Sequence, residues 1–500
     1  MAINTIFKSV SADYERNLDG KQIVMQCNFD TTSKGGVSKV CALSGDVRIT
    51  KTQTMSKQIK TSGRVSIKLV YLDAEGKLNN FDYISDFSED INNDGVVADM
   101  PCIVRASVVD IQSGITGAEI KVQTVVELMP AVVEINTVEV LEDAEDALTL
   151  KQEQQYQKYI CSVDECVEVS DEYSCGAKVD DVLFFDAKAI VGDVDNSDGK
   201  LVITGRAEVS LIYMSEGVVS TKNFNIPFAQ ELAVRDENLS ACITANVKEN
   251  RLVIEGSESD NTFKISVNVE LQGFVMQTCL IDAVTDLYSP TNALDVSVEE
   301  VCFDRQDALM RFEEKIGGSV TVENTDERIK SICSCIVTQN NLSNLVAMDG
   351  ALLAEGVLNT SVIYETEEGA YKCMQVELPY SLQFDAPSVV SSTMLSGCAI
   401  ATDCSYKVKR DREVEIAAGI VISVCAMTRV ENTVVKGVEE GEEIAVDSNA
   451  ISIYLPDKGE SIWQVAKTLG MSIESIKEQN PDLGALMAGD ERIVIYREIG

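Results

Sequence analysis

Apolar and polar positions alternate along most of this chain, and one alternating stretch occurs three times. It reads Gly63-Arg-Val-Ser-Ile-Lys-Leu-Val-Tyr71, then Gly205-Arg-Ala-Glu-Val-Ser-Leu-Ile-Tyr213, then Gly356-Val-Leu-Asn-Thr-Ser-Val-Ile-Tyr364. A second Gly follows each Tyr by four or five residues (Gly76, Gly217, Gly369), and an aromatic stands eleven residues further on (Phe87, Phe228, Tyr380). Period-two alternation, a Gly-bearing turn and a second partly apolar run predict a β-hairpin in each copy. Upstream lies a branched apolar pair (Val37/Val40, Val179/Val182, Ile329/Ile332), and downstream a Cys (Cys102, Cys242, Cys398). Successive copies are 142 and 151 residues apart, which is the size of a domain rather than of a solenoid unit. The pattern therefore predicts three β-rich domains of one fold, with Gly63, Gly205 and Gly356 at equivalent backbone positions.

The stretches between the copies have other signatures. Ile3, Ile6, Phe7 and Val10 have the spacing of a short amphipathic helix, and strands begin at Lys21. Residues 131–158 are charged and poor in strand formers, which marks a first boundary. Residues 309–315 suit a short helix, and the acidic run 439–443 opens a polar linker. The expected domains are 20–150, 155–295 and 297–438, then an acidic linker 439–449 and a small module 450–497. In that module Ser461-Ile-Trp-Gln464 has the form of a capping box, and Ile462, Val465, Ala466 and Leu469 line one helix face that Gly470 ends. Ser472 starts a second helix, Asn480-Pro481 stops it, and Arg492-Ile-Val-Ile-Tyr496 is a closing strand. The order is strand, helix, helix, strand.

Composition removes several classes of chemistry. The 500 residues carry a net charge of −39, a surface that repels nucleic acid and anionic lipid. Histidine is absent, and with it go the commonest proton-transfer group, the Ser-His and Cys-His pairs and His-ligated metals. The fifteen cysteines are odd in number and contain no Cys-x-x-Cys; we read them as free, buried thiols. Cys333 and Cys335 share one strand face, a poor zinc half-site without a second pair. Residues 90–95 begin like a calcium loop, but Pro101 occupies the place of the bidentate Glu, so an Asn/Asp/Gly-rich loop is the reading. No catalytic residue, metal or cofactor is expected. No apolar run reaches the roughly 18 residues of a membrane span, and no secretory leader is expected.

With those residues in view, two resemblances can be stated. The series Gly459-Glu-Ser-Ile, Ala466, Ile476, Asn480-Pro481, Gly489-Asp and Ile493-Val-Ile495 resembles a LysM domain, departing from it at Tyr496, where a Pro usually stands. The three long repeats resemble the SPOCS domain, with Ile281-Asp-Ala after the last strand of copy two; copy three lacks the basic residue after its first Gly. Tandem SPOCS units followed by LysM are similar to the SipL-like and SpoVID-like spore coat morphogenetic proteins, and the likeness covers nearly the whole chain. It implies a mainly β fold of three SPOCS-type repeats and a βααβ LysM module. It also implies a non-enzymatic scaffold made in the mother-cell cytoplasm and recruited to the forespore surface, where it binds the basement-layer ATPase of the coat and other coat proteins.

By the same resemblance, ligand contacts in LysM map to Gly459, Glu460, Ser461 and Ile462, and to Pro481, Asp482 and Leu483. Ser461 reads equally as a helix cap and Asn480-Pro481 as a helix stop. Trp463 falls off the apolar stripe of its helix, and an exposed Trp there would be a contact anchor. The alternative function is binding of peptidoglycan or a glycan precursor through the same loops.

Overall fold

The computed structural model describes residues 4–197, 199–234, 236–256, 261–322, 327–410, 412–444 and 451–496. The first repeat opens with β1 (Thr5–Ser11), β2 (Tyr14–Asn17) and β3 (Lys21–Asp30). A three-stranded meander follows, β4 (Lys39–Met55), β5 (Gln58–Leu72) and β6 (Leu78–Asn92), and then β7 (Cys102–Thr116), β8 (Glu119–Glu134) and β9 (Thr137–Ala144). In the second repeat one long strand, β10 (Leu148–Ser174), replaces the opening three. Its meander is β11 (Asp181–Ser197), β12 (Lys200–Ser215) and β13 (Val218–Ala233), followed by β14 (Leu239–Gly256) and a long β15 (Asn261–Tyr288). The third repeat has the same order: β16 (Asn292–Thr321), β17 (Ile329–Met348), β18 (Ala351–Thr366), β19 (Tyr371–Asp385), β20 (Met394–Lys409) and β21 (Glu413–Glu443).

Each repeat is thus two antiparallel sheets around one core. The meander sheets are β4-β5-β6, β11-β12-β13 and β17-β18-β19; their companions are β3-β8-β7, β10-β15-β14 and β16-β21-β20. Alternation puts Val65, Ile67, Leu69 and Tyr71 of the first repeat into its core, and Ala207, Val209, Leu211 and Tyr213 into that of the second. The long strands overhang these sandwiches as two-stranded ribbons, with β1 paired to β9, the start of β10 to the end of β15, and the start of β16 to the end of β21. The three ribbons meet in a cluster that holds Val138 and Val140, Ile281 and Ala283, and Phe303 and Val434.

The landmark glycines occupy one structural position. Gly63 lies opposite Ile49 and Phe87, Gly205 opposite Val191 and Phe228, and Gly356 opposite Leu342 and Tyr380. The aromatic side chain crosses the glycine so closely that an added Cβ would stand 2.3 Å from the Phe87 ring, the Phe228 ring and the Tyr380 hydroxyl. Gly76, Gly217 and Gly369 turn the hairpins at φ of 82°, 75° and 83°, where a side chain is strained.

The repeats close into a ring. Each first meander strand has a one-residue bulge next to the landmark Tyr, at Cys41, Leu183 and Cys333, and all three of these side chains enter one central cluster with Val70, Ile212 and Ile363. Side chains at one register position of the third meander strands reach the bulge of the next repeat. Asn80 Nδ2 donates to the Val182 carbonyl (3.1 Å), Thr221 Oγ1 to the Cys333 carbonyl (3.0 Å) and Cys373 Sγ to the Val40 carbonyl (3.7 Å). Below this cluster Asp46, Lys188 and Gln339, again equivalent in register, line a central cavity of about 280 Å³. Asp46 keeps surface open to that cavity, yet the walls around it strip the carboxyl of bulk water; this desolvation first, and then the charge of Asp186, push it up to about 6, against the opposing pull of Lys68 and Lys188.

Four expectations are corrected. The amphipathic spacing near the start is not helical: residues 5–11 form β1 because β9 offers a strand edge to pair with. Residues 309–315 lie inside β16, paired to β21, so tertiary pairing overrides local propensity there. Residues 131–158 are almost wholly strand, with a turn at 145–147, because their charged side chains face solvent while Val138, Val140 and Leu141 face inward. The acidic run 439–443 completes β21 instead of opening a linker; residues 445–450 lie outside the described residues. The calcium-like stretch is the end of β6 and a tight turn in which Asn93 Oδ1 accepts from the Gly95 amide.

Two outcomes follow from this packing. Gly205→Ala drives a Cβ to 2.3 Å from both the Ile190 carbonyl oxygen and the Phe228 ring, and should destabilise the chain by about 2–3 kcal/mol in denaturant titration. Adding Phe228→Ala to it should cost less than the sum of the two single changes, because one clash is shared; strict additivity would contradict the close approach. For Asp46, a carboxyl raised in the folded state adds stability at low pH that is lost as pH rises through about 6. Asp46→Asn should therefore be more stable than the parent chain at pH 7.5 and show little advantage at pH 4, as read from paired thermal melts.

Candidate functional site

Beyond the third repeat the chain folds as β22 (Ile451–Tyr454), α1 (Ile462–Leu469), α2 (Ile473–Gln479) and β23 (Ile493–Tyr496). Ser461 caps α1 through a complete capping box: its Oγ accepts from the Gln464 amide, and the Gln464 side chain accepts from the Ser461 amide (2.8 Å). Gly470 ends α1 at φ 62°. Asn480 does more than stop α2. Its Nδ2 donates to the Val494 carbonyl (2.8 Å) and its Oδ1 accepts from the Val494 amide (2.9 Å), so it clamps the helix to β23.

The two loops that carry the expected contacts are brought together. The Gly459 amide donates to the Met487 carbonyl (2.8 Å), the Met487 amide to the Glu460 carbonyl (2.9 Å), and the Ile462 amide to the Ala485 carbonyl (3.0 Å). Glu460 is already engaged: it accepts from the Tyr454 hydroxyl (2.8 Å) and the Asp457 amide (3.0 Å), and this bond raises the Tyr454 pKa. Ser461 is occupied as the cap, Ile462 is buried in the module core, and Leu483 packs partly against it. Gly459, Pro481 and Asp482 stand exposed.

Trp463 corrects an expectation. It is only 8% exposed, and it is a latch within the chain rather than a free anchor. Its ring meets Tyr288 edge-on with centroids 4.9 Å apart, and its Nε1–H donates to Asp286 Oδ2 (2.8 Å). Lys467 pairs with the other oxygen of Asp286 (2.6 Å), and the Tyr288 hydroxyl donates to the Met471 carbonyl (2.6 Å). The reason is geometric. A residue off the apolar stripe of α1 points away from the module's own core, and here it points at the end of β15.

A different surface stays open. Ile451 and Ile453 point outward from β22 and Leu455 follows just past its end, at 59%, 61% and 68% exposure, and Tyr496, opposite Ile451 in β23, is 58% exposed. Alternation alone reads these residues as inward-facing. They face outward because Tyr454 takes the inner face, fixed by its bond to Glu460. Three large apolar side chains on and just past one short strand form a patch of the kind that marks a docking site. Elsewhere a groove of about 590 Å³ lies between the second and third repeats, lined by Arg206, Glu208, Glu313 and Asp403 among others. Among the described residues no cluster of three or more Cys, Asp or Glu is placed to hold a metal, and no helix is long and apolar enough to cross a membrane.

Because Trp463 is the chain's one tryptophan, its emission reports the latch. The parent chain should emit at short wavelength, and Asp286→Ala should shift the maximum to the red while the β signal in circular dichroism stays unchanged. An unshifted spectrum would place the indole elsewhere.

Comparison with known proteins gives one result. Residues 36–116 and 178–271 match the family model described as SipL, SPOCS domain, spans that take in the meanders of repeats one and two and the strand after each. No curated protein and no solved structure matches the chain. Shared strand order, shared glycine–aromatic pairs and the family match agree: the chain carries SPOCS domains in its first and second repeats.

Proposed function

We propose that the chain is a non-enzymatic scaffold of spore coat assembly. In this reading it is made in the mother cell and gathers on the forespore surface, where it holds the basement-layer ATPase and other coat proteins. Its third repeat is a further SPOCS unit, since it shares the strand order and the Gly356–Tyr380 pair of the matched repeats. The βααβ module is a LysM domain turned to protein docking. The observation that carries this reading is the outward apolar row Ile451, Ile453 and Leu455 with Tyr496. Such a row suits an apolar protein surface better than a hydroxyl-rich glycan. The engagement of Glu460 and Ser461 inside the module also supports docking over glycan capture, because both would have to leave existing partners to bind sugar.

The test is a pull-down of purified basement-layer ATPase beside one on purified peptidoglycan. Ile453→Asp should weaken ATPase capture at least tenfold, on the order of 1.4 kcal/mol, without changing the melting temperature of the repeats. Asp482→Arg, on the exposed loop, should have a smaller effect. Retained ATPase binding by Ile453→Asp, or peptidoglycan binding that Asp482→Arg abolishes, would favour the glycan reading.

A further inference from the structure

The third repeat brings two cysteines from different sheets together. Cys335 lies on β17 and Cys404 on β20, 69 residues later, beside the irregularity where the β20 register shifts between Ala401 and Cys404. Their sulfurs are 2.7 Å apart, between the roughly 2.05 Å of a covalent bond and an ordinary sulfur contact. The thirteen other cysteines offer no comparable pair with an approach: Cys41 and Cys373 share the central cluster but are closed to solvent, while Cys166 and Cys302 stand singly on the surface. Cys335 and Cys404 differ in having an approach. Both line a small hollow with Lys188, Glu208 and Asn223, and Glu208 and Asn223 also line the open groove between the second and third repeats. A molecule the size of peroxide can enter there.

We propose that Cys335 and Cys404 are a peroxide-sensitive dithiol whose oxidation staples the two sheets of the third repeat. Cys404, only half-buried, reacts first as thiolate. Its sulfur attacks one oxygen of hydrogen peroxide, the O–O bond breaks, and the departing hydroxide takes up a proton as water, leaving a sulfenic acid. Cys335 then attacks the Cys404 sulfur; the S–S bond forms, the S–O bond breaks, and a second water leaves with the Cys335 proton. Two thiols and one peroxide give one disulfide and two waters, and the two electrons lost by sulfur reduce the peroxide. Contact with Cys404 and burial hold the Cys335 thiol protonated, so Cys335 does not take the first step and gives up its proton only as it attacks the sulfenic sulfur beside it. The loop closed by the bond spans both sheets, so it constrains the unfolded chain strongly. A scaffold made in a reducing compartment would thus stiffen when its surroundings turn oxidising.

The experiment uses the full chain in a Cys166→Ser/Cys302→Ser background, which removes the two exposed thiols. Denaturing thiol titration before oxidation should find thirteen thiols of the fifteen in the sequence; brief treatment with hydrogen peroxide should leave about eleven. Non-reducing peptide mapping should recover the Cys335–Cys404 cross-link, and the melting temperature should rise by several degrees and fall back on reduction. Cys404→Ser changes a half-buried position and should fold normally, lose the rise and keep Cys335 reduced. Absence of the linked peptide from folded protein, or an equal yield from urea-unfolded chain, would overturn the proposal.

Discussion

The interaction on which this molecule depends is the hydrogen bond from a meander to the bulge of the next repeat. A bulge leaves one residue of a strand out of the ladder, so its neighbourhood exposes a carbonyl and turns a side chain out of its own sandwich. In this chain the turned-out residues are Cys41, Leu183 and Cys333, and the donors that meet the carbonyls are Asn80, Thr221 and Cys373. Because donor and bulge sit at fixed register in every copy, the contact runs from repeat one to two, two to three and three back to one. Three such contacts close a circle. The donors differ chemically, yet each keeps a group that can bond a carbonyl, whereas the apolar residues of the cluster only fill space.

Closure has a consequence at the axis. Equivalent positions of three homologous strands must face one another there, and identical charges would repel. The chain places an acid, a base and an amide at that level, Asp46, Lys188 and Gln339, around a cavity instead of a packed layer. Charge is thereby kept near balance in a place water reaches.

Much of this was legible in the sequence, for a physical reason. Period-two alternation and the glycine–aromatic spacing are local signals, and both belong to the meanders, whose strands are joined by short turns. The opening and closing strands were harder to read. Residues 5–11 and 309–315 have helical spacing or propensity, and only a partner more than a hundred residues away makes them strands. The acidic run at 439–443 looked like linker because four of its five residues are Glu, and only pairing with residues 292–295 makes it strand. At the C-terminal module the caps at Ser461 and Ser472 were readable from sequence. What Trp463 touches was not, since Asp286 and Tyr288 are remote in sequence and nothing local names them. The outward row on β22 was hidden for the opposite reason: its alternation is clear, but which face is inside depends on one hydrogen bond.

The latch joins these two parts of the chain. It fixes the module at the foot of the second repeat while leaving its apolar sheet face free, so that face is presented in a set direction. The central claim, three repeats closed in a ring with the module held against it, is tested most directly by small-angle X-ray scattering of the monomer. A closed ring predicts a pair-distance distribution with a single maximum and a radius of gyration below roughly 30 Å, somewhat above the roughly 23 Å of a fully compact chain of this length. A distribution with separate maxima, and a radius well beyond that range, would show domains strung along the chain and would contradict the account.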